Sequence, residues 1–487
     1  MSLTRLDQDK RDGKLSVRDV KPIDFSKVAG LWVPCAGSLS PWNTHLGSEE
    51  YEPDARCITQ PDYIYPTSGK AACKAAPNSL EAMQRYGLAK PNAYDYGLTP
   101  EVVVSPDGRS NVIKHRALGR QSREKAQVMP DERTVYQGDD GTYNVLTMFV
   151  ADKRRDLSAG TLYAAKWQQT NGENGGQALL SWIRLGHGSN REIEKLAKTV
   201  SFDDVFETSS VVVRKDGNGK IIGYESPPEG FQQIIAGHNS ANVENLRLKP
   251  GMEKAAAFLE TRRYAAFLGA TTEFEKYEGV ALNARDRKVY HAITQIAGGM
   301  ADNQADPRND IRVAGNICGG VYEMATSGQQ KDQSGNSIAS QWVGTGMRAI
   351  LVGQPQTADD IGNTCDIDAI SRPDNLSFSE TMRVLFIGED TNRHLNNFLW
   401  AYHLDSGKVV RILSLPAGAE STGLQVVDNN NGFAYIMANY QHPAEFSYSF
   451  ESWGAMKSNP ELLERLSKLI DRRQGGVGYI GGLPKLK

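Results

Sequence analysis

A chain of 487 residues, 39% of them hydrophobic and 23% charged, has ample apolar material for a packed interior and lacks the composition of a disordered polymer. Its net charge is −3, and Lys and Arg are scattered along it and not gathered into a stripe, so nucleic acid is excluded as an expected partner. No run of 18 apolar residues occurs, and no membrane span is expected.

The start, Met1-Ser2-Leu3-Thr4-Arg5, has neither a charged region before an apolar stretch nor a small-residue cleavage site. That leaves either a cytoplasmic protein or one whose export signal has been removed. From Pro53 to Pro100 the chain is polar, interrupted by Gly and Pro and without periodicity, as suits a long loop. From Val102 onward, short β-rich runs alternate with turn signals. Val102 to Val104 and Asn111 to Lys114 flank Asp107-Gly108, and Val211 to Arg214 leads through Asp216-Gly217 to Ile221-Ile222; both read as hairpins whose Asp-Gly supplies positive φ. Further strands are expected at Val145 to Val150, Thr161 to Trp167, Lys288 to Ile293, Gly320 to Met324, Val384 to Ile387, Phe398 to His403, Val409 to Leu413 and Ala434 to Met437. Helical periodicity is confined to Arg191 to Lys198, Met252 to Leu268 and Pro460 to Arg472, the last with Ser458 and Glu461 placed for a capping box. A second long loop is expected at Ala325 to Gln341. The pattern is all-β, and the helices read as insertions.

Five cysteines occur: Cys35, Cys57, Cys73, Cys318 and Cys365. One reading is five reduced, buried thiols. The other pairs Cys57 with Cys73 and Cys318 with Cys365, which leaves Cys35 free. Acidic residues recur beside turn or flexible residues, in Glu49-Glu50, Asp139-Asp140, Tyr277-Glu278-Gly279, Asp374, Glu389-Asp390 and Glu420. Singly, each suits a solvated turn; together, carboxylates at strand ends could converge on hard cations. The eight histidines lack zinc-site spacing, and no GxSxG elbow, phosphate-binding P-loop or CxxC pair is present.

The string Pro34-Cys35-Ala36-Gly37-Ser38-Leu39-Ser40-Pro41-Trp42-Asn43-Thr44-His45-Leu46-Gly47-Ser48-Glu49-Glu50 resembles the pattern of the PhoX family of alkaline phosphatases. Leu118-Gly119-Arg120 to Glu124, Val135 to Asp140, Gly160 to Trp167, Leu268 to Glu278, Pro373 to Leu376, Glu420 to Gly423 and Gln441-His442-Pro443 continue it in family order, over about residues 30 to 445. The resemblance implies one domain across 1–487. Its fold is an all-β six-bladed β-propeller with a few helical insertions and long loops on one face, and residues 446–487 form a C-terminal helical extension. It also implies a channel holding Fe3+ and Ca2+, with Cys35 on iron, Glu50, Glu124 and Glu278 as further metal ligands, and Asp374, Glu389, Asp390 and Glu420 as weaker candidates. Lys276 would serve as the catalytic and substrate-binding cation. It stands where the family carries Arg before Pro-Glu, so a two-pronged phosphate clamp becomes a point charge. Gly119-Arg120-Gln121-Ser122-Arg123-Glu124 departs similarly from Gly-Arg-Phe-x-His-Glu, losing a histidine and keeping the carboxylate.

The expected activity is a phosphoric monoester hydrolase in which the metals polarise the phosphoryl group and a metal-bound oxide or hydroxide attacks phosphorus. The expected substrate is a small-molecule phosphate ester, and the expected form is a monomer. Family relatives are exported, so the resemblance implies a periplasmic or secreted protein. Two alternatives remain: a calcium-dependent propeller hydrolase of lactonase type, and a non-catalytic propeller used as a binding module.

Overall fold

The structure, a computed structural model, describes residues 1–74, 92–237, 241–444, 460–471 and 473–485. Five antiparallel blades, drawn from four sheets, follow one another along the chain. The first blade holds Ser38–Leu39, His45–Leu46, Thr99–Val104 and Ser110–His115. The second runs outward through Arg123–Val128, Thr134–Asp139, Thr147–Lys153 and Asp156–Asn171, and is extended by Gln177–Ser189. The third comprises Tyr277–Asn283, Lys288–Ile293, Gly320–Ser327 and Val343–Val352. Its outer strand pairs with Gln177–Ser189, so the second and third blades share one nine-stranded sheet. The fourth holds Pro373–Ser379, Val384–Glu389, Asn396–His403 and Lys408–Ala417, and the fifth Glu420–Asn430, Phe433–Gln441 and Gly476–Pro484.

The sixth place in the ring is taken by a two-stranded hairpin, Ser2–Gln8 with Leu15–Pro22. Its turn packs on the fifth blade, where the Tyr435 hydroxyl donates to the Gly13 carbonyl (2.5 Å) and the Leu15 amide donates to the Tyr479 hydroxyl (2.7 Å). Met1, the residue before it, reaches Gly47 beside the first blade. The ring is an all-β propeller of the expected kind.

The last strand corrects the expected C-terminus. Residues beyond 446 were expected to be a helical extension, and Pro460–Leu469 is indeed a helix. Gly476–Pro484, however, returns to complete the fifth blade, because its alternating small and apolar residues pair along Phe433–Gln441. The capping serine expected at Ser458, like part of the 53–100 loop, lies outside the described residues.

Both expected hairpins form, but their turns differ. Gly108 takes φ +81°, whereas in the other turn the left-handed residue is Gly219, at φ +81°, and not Gly217. The single helix expected over Met252 to Leu268 is two, Glu253–Leu259 and Thr261–Leu268, broken at Glu260, whose backbone leaves the helical region. This pair belongs to an excursion between the second and third blades that also holds Asn190–Thr199, capped by Ser189 and Glu192. Ala255, Ala256, Phe258 and Leu259 pack this excursion into the apolar interior shared with the second blade. It also sends Arg262 toward the channel wall, where its guanidinium grips Asp139.

Candidate functional site

Each innermost strand of blades two to five carries the same irregularity. Pairing slips by one residue between Arg123 and Ala126, Tyr277 and Val280, Pro373 and Leu376, and Thr422 and Gln425. A bulge of this kind bends its strand and re-aims one side chain. The first residue inside it is Glu124, Glu278 and Asp374 in three successive blades, so one backbone device, repeated, delivers three carboxylates to the channel. Opposite each bulge stands Gly138, Ala292, Gly388 or Ala438, where no larger side chain intrudes. A Cβ on Gly138 would lie 2.1 Å from the Glu278 carbonyl, and one on Gly279 would lie 1.9 Å from that of Asp374. Glycine here sets how closely neighbouring blades approach.

A second device sorts the acidic doublets. Asp139 and Glu389 are the last residues of their strands and Glu49 follows one, and at each strand exit the next residue turns to the other side. In Glu49-Glu50 the first carboxylate turns into the blade, accepting from the amides of Trp32 (2.9 Å) and Leu98 (3.2 Å) and pairing with Lys114 Nζ at 2.6 Å. In Asp139-Asp140, Asp139 accepts from the Ser122 amide and from Arg262. In Glu389-Asp390, Glu389 accepts from the Ser371 and Phe398 amides (each 2.9 Å) and from Trp400 Nε1 (2.7 Å), with His394 Nδ1 at 3.2 Å. The second member of each doublet, Glu50, Asp140 or Asp390, belongs to the channel.

The channel side chains form two groups, each with ligand atoms within 4.8 Å of one another: Cys35, Glu50 and Glu124, and Glu278, Asp374 and Asp390. Of the residues singled out from sequence, these six come together. Glu420 lies at the same end of the channel, accepting from Gln441 and from His442 Nε2 (3.0 Å). Glu389 does not join them. Both oxygens of Glu124 are buried without a hydrogen-bond donor at ordinary geometry, and the neighbouring Cys35 thiol offers only weak donation.

Lys276 Nζ sits 2.9 Å from Asp140 Oδ1 and 2.7 Å from Glu278 Oε1. Glu278 also accepts from Thr294 Oγ1 at 3.0 Å, and Asp140 from the Tyr51 hydroxyl at 2.5 Å. Tyr51 and Thr294 were not among the residues picked out from sequence, and Asp140 was noted only within the Asp139-Asp140 pair and not named as a ligand. The doublet alternation could have found Asp140, whereas no sequence signal marks Tyr51.

Burial dominates the electrostatics. It raises the Glu124 carboxyl well above its ordinary range, helped by Glu278 and Asp140, and does the same to Glu50, helped by Glu124 and Asp140. Glu278 is pushed up to about 8 by burial against the pull of Lys276, and Asp390 to about 6 by burial and Glu420. Asp140 alone is held low: burial pushes it up, but Lys276, Glu50 and Tyr51 outweigh that. The Cys35 thiol is driven well above its usual value by burial and four neighbouring carboxylates. So many mutually repelling acids in one buried space form a pre-built demand for positive charge.

The sulfur packing elsewhere is settled. Cys57 bonds Cys73 and Cys318 bonds Cys365, and Cys35 is the free thiol.

Fold and site together define an all-β propeller whose innermost strands and strand ends bring buried acids and one free thiol together. Residues 11–446 match the model of the family described as alkaline phosphatase PhoX, and the chain belongs to that family. Among solved structures it is similar to Pseudomonas fluorescens PhoX in complex with vanadate, a transition state analogue, with a TM-score of 0.51 and 20% identity, covering 86% of this chain and 66% of that one. The chain thus spans just under two thirds of that protein's length. A putative 6-phosphogluconolactonase from Bacteroides uniformis matches with a TM-score of 0.32 and 7% identity, over 90% of this chain and 87% of that one. No curated protein matches. No helix among the described residues is long and apolar enough to cross a membrane.

Proposed function

We propose that the channel is the active site of a metal-dependent phosphomonoesterase acting on small phosphate esters. The observation that carries this reading is the pair of three-ligand groups facing one channel, with the unsatisfied Glu124 carboxylate buried in the first. An unpaired buried carboxylate is costly, and a bound cation is the partner its surroundings lack. The donor chemistry differs between groups. Cys35 with Glu50 and Glu124 suits Fe3+, because a thiolate selects a transition metal, whereas Glu278, Asp374 and Asp390 offer the all-oxygen set that Ca2+ prefers. When bound, the cations would supply Lewis acidity toward phosphoryl oxygens.

The chain's own residues do the rest. Lys276 is pinned by Asp140 and Glu278, which leaves its third N–H for a phosphoryl oxygen. Tyr51 and Lys276 hold Asp140 ionised, so the lysine stays charged and fixed. The bulged strands fix the acids before substrate arrives, so little reorganisation is needed at reaction.

The two disulfides suit an oxidising compartment and so support a periplasmic or secreted location. Elemental analysis of the purified, desalted chain, beside hydrolysis of p-nitrophenyl phosphate, tests the reading. Iron and calcium should both be present, Cys35→Ala should lose iron and keep calcium, and chelation should abolish hydrolysis. Hydrolysis that survives chelation and desalting would overturn it.

A further inference from the structure

Two guanidiniums stand beside the carboxylate-rich side of the channel without an acidic partner. Arg372 donates from Nε to the Ile317 carbonyl (3.3 Å) and from Nη2 to Gln295 Oε1 (3.1 Å), both neutral. Arg393 is anchored through its backbone, its amide donating to Thr391 Oγ1 (2.9 Å) and its carbonyl accepting from Thr364 (3.0 Å). Its Nε is buried with no hydrogen-bond partner. Neither arginine forms an ion pair among the described residues. The two repel one another electrostatically, and Asp390 and Glu278 are the acids that Arg372 feels. A half-buried guanidinium with only neutral hydrogen-bond partners is completed by an anion.

The backbone shows why Arg372 is placed there. It has φ 44° and stands two residues before the bulge acid Asp374; Lys276 has φ 42° and stands two residues before the bulge acid Glu278. The two are equivalent stations of adjacent blades, both in a conformation that non-glycine residues rarely adopt. Their partners differ. Lys276 spends its charge on Asp140 and Glu278, whereas Arg372 spends none on a carboxylate.

We propose that Arg372, with Arg393 beside it, is the anion-binding fork of this channel, gripping the non-bridging oxygens of a phosphoryl group one blade further round than Lys276. A planar guanidinium can hold two such oxygens at once, which an ammonium cannot. The substrate class is the phosphomonoester of the proposed function, on which this inference rests, but the fork's own ligand is the phosphate dianion.

The test is calorimetric titration of inorganic phosphate into the metal-loaded full chain, with metal content and p-nitrophenyl phosphate kinetics measured on the same preparations. Arg372→Met should weaken phosphate binding roughly ten- to a hundredfold, the loss of a charge-assisted pair, with metal content unchanged and KM rising more than kcat falls. Arg372→Lys should recover only part of the affinity, and Arg393→Met should weaken binding independently. Unaltered phosphate affinity in both methionine variants overturns the fork, as does an unmodified chain that binds no phosphate. Phosphate binding that depends on Arg372 without ester hydrolysis would keep the fork and remove the phosphatase. Hydrolysis with KM unchanged in both methionine variants would do the reverse.

Discussion

At the scale of single residues, the channel is built by a choice between neighbours. In each doublet one acid serves the blade and the next serves the channel, and the two should fail differently when neutralised. Glu389→Gln keeps one accepting oxygen and sets an amide NH2 against two of the four groups around it, so the metal-free protein should lose roughly 2–3 kcal/mol in denaturant unfolding while keeping its calcium. Asp390→Asn should leave metal-free stability nearly unchanged and weaken calcium binding, read by titration. Equal loss of calcium in both variants would contradict the sorting. The raised carboxyls also set a pH dependence. Glu278, at about 8, and Asp390, at about 6, sit above the ordinary carboxyl range, so the folded chain keeps protons that the unfolded chain has released. Their contribution is full below about pH 4.5 and is lost as pH rises through 6 and 8. In chelator, Tm should therefore fall between pH 5 and 8. Calcium, replacing those protons, should flatten the fall, leaving the part due to the raised Glu50 and Glu124 of the other group and to Glu273 and Glu275, which burial raises to about 7 and 8 outside both groups.

At the scale of elements, the blades are legible where strands alternate strongly and hidden where they bulge. Lys288–Ile293 is as expected from its β-branched and aromatic run, and Phe398 to His403 lies within Asn396–His403. Arg123–Val128 and Thr134–Asp139 passed unread, because strands buried on both faces and rich in polar residues lack the alternation that marks a half-exposed one. The site was legible as a set of strings but not as geometry. Cys35, Glu50, Glu124 and Glu278 could be named from order along the chain. The choice of Asp390 over Glu389 depends on how the chain turns where the strand ends at Glu389, which only the fold reveals. Arg372 went unnoticed because its equivalence to Lys276 lies in a shared φ and a shared bulge, neither of which has a residue signature. The bulges make a prediction of their own. Gly279→Ala would drive a methyl into the Asp374 carbonyl at 1.9 Å, forcing blades three and four apart. The variant should lose calcium and unfold earlier on heating, whereas Gly407→Ala, in an open turn of the fourth blade with φ +67°, should lower Tm and spare the metals.

At the scale of the whole molecule, a propeller is stable because its ring is closed, and here the closure rests on a slender part. Among the described residues, a hairpin alone stands between the fifth blade and the first, held by Gly13 against Phe433 and Tyr435 and by Leu15 against Tyr479. The two ligand groups lie differently about this seam. Cys35 and Glu50 belong to the first-blade side, and Cys35 feels Glu420 of the fifth blade across it. Glu278, Asp374 and Asp390 come from blades three and four, which the Cys318–Cys365 disulfide also ties together across a sequence separation of 47. Chain-entropy arguments give that bond about 4 kcal/mol, or roughly 4 °C in Tm for a chain of this length. Removing residues 2–22 should therefore open the seam and loosen the thiol-bearing side first. Such a chain should release iron at chelator concentrations at which calcium is still held. Reduction of the Cys318–Cys365 disulfide should instead weaken calcium retention before iron. If truncation released both metals together, the seam would not be the weak point, and the hairpin would be an ornament on a ring closed by other contacts.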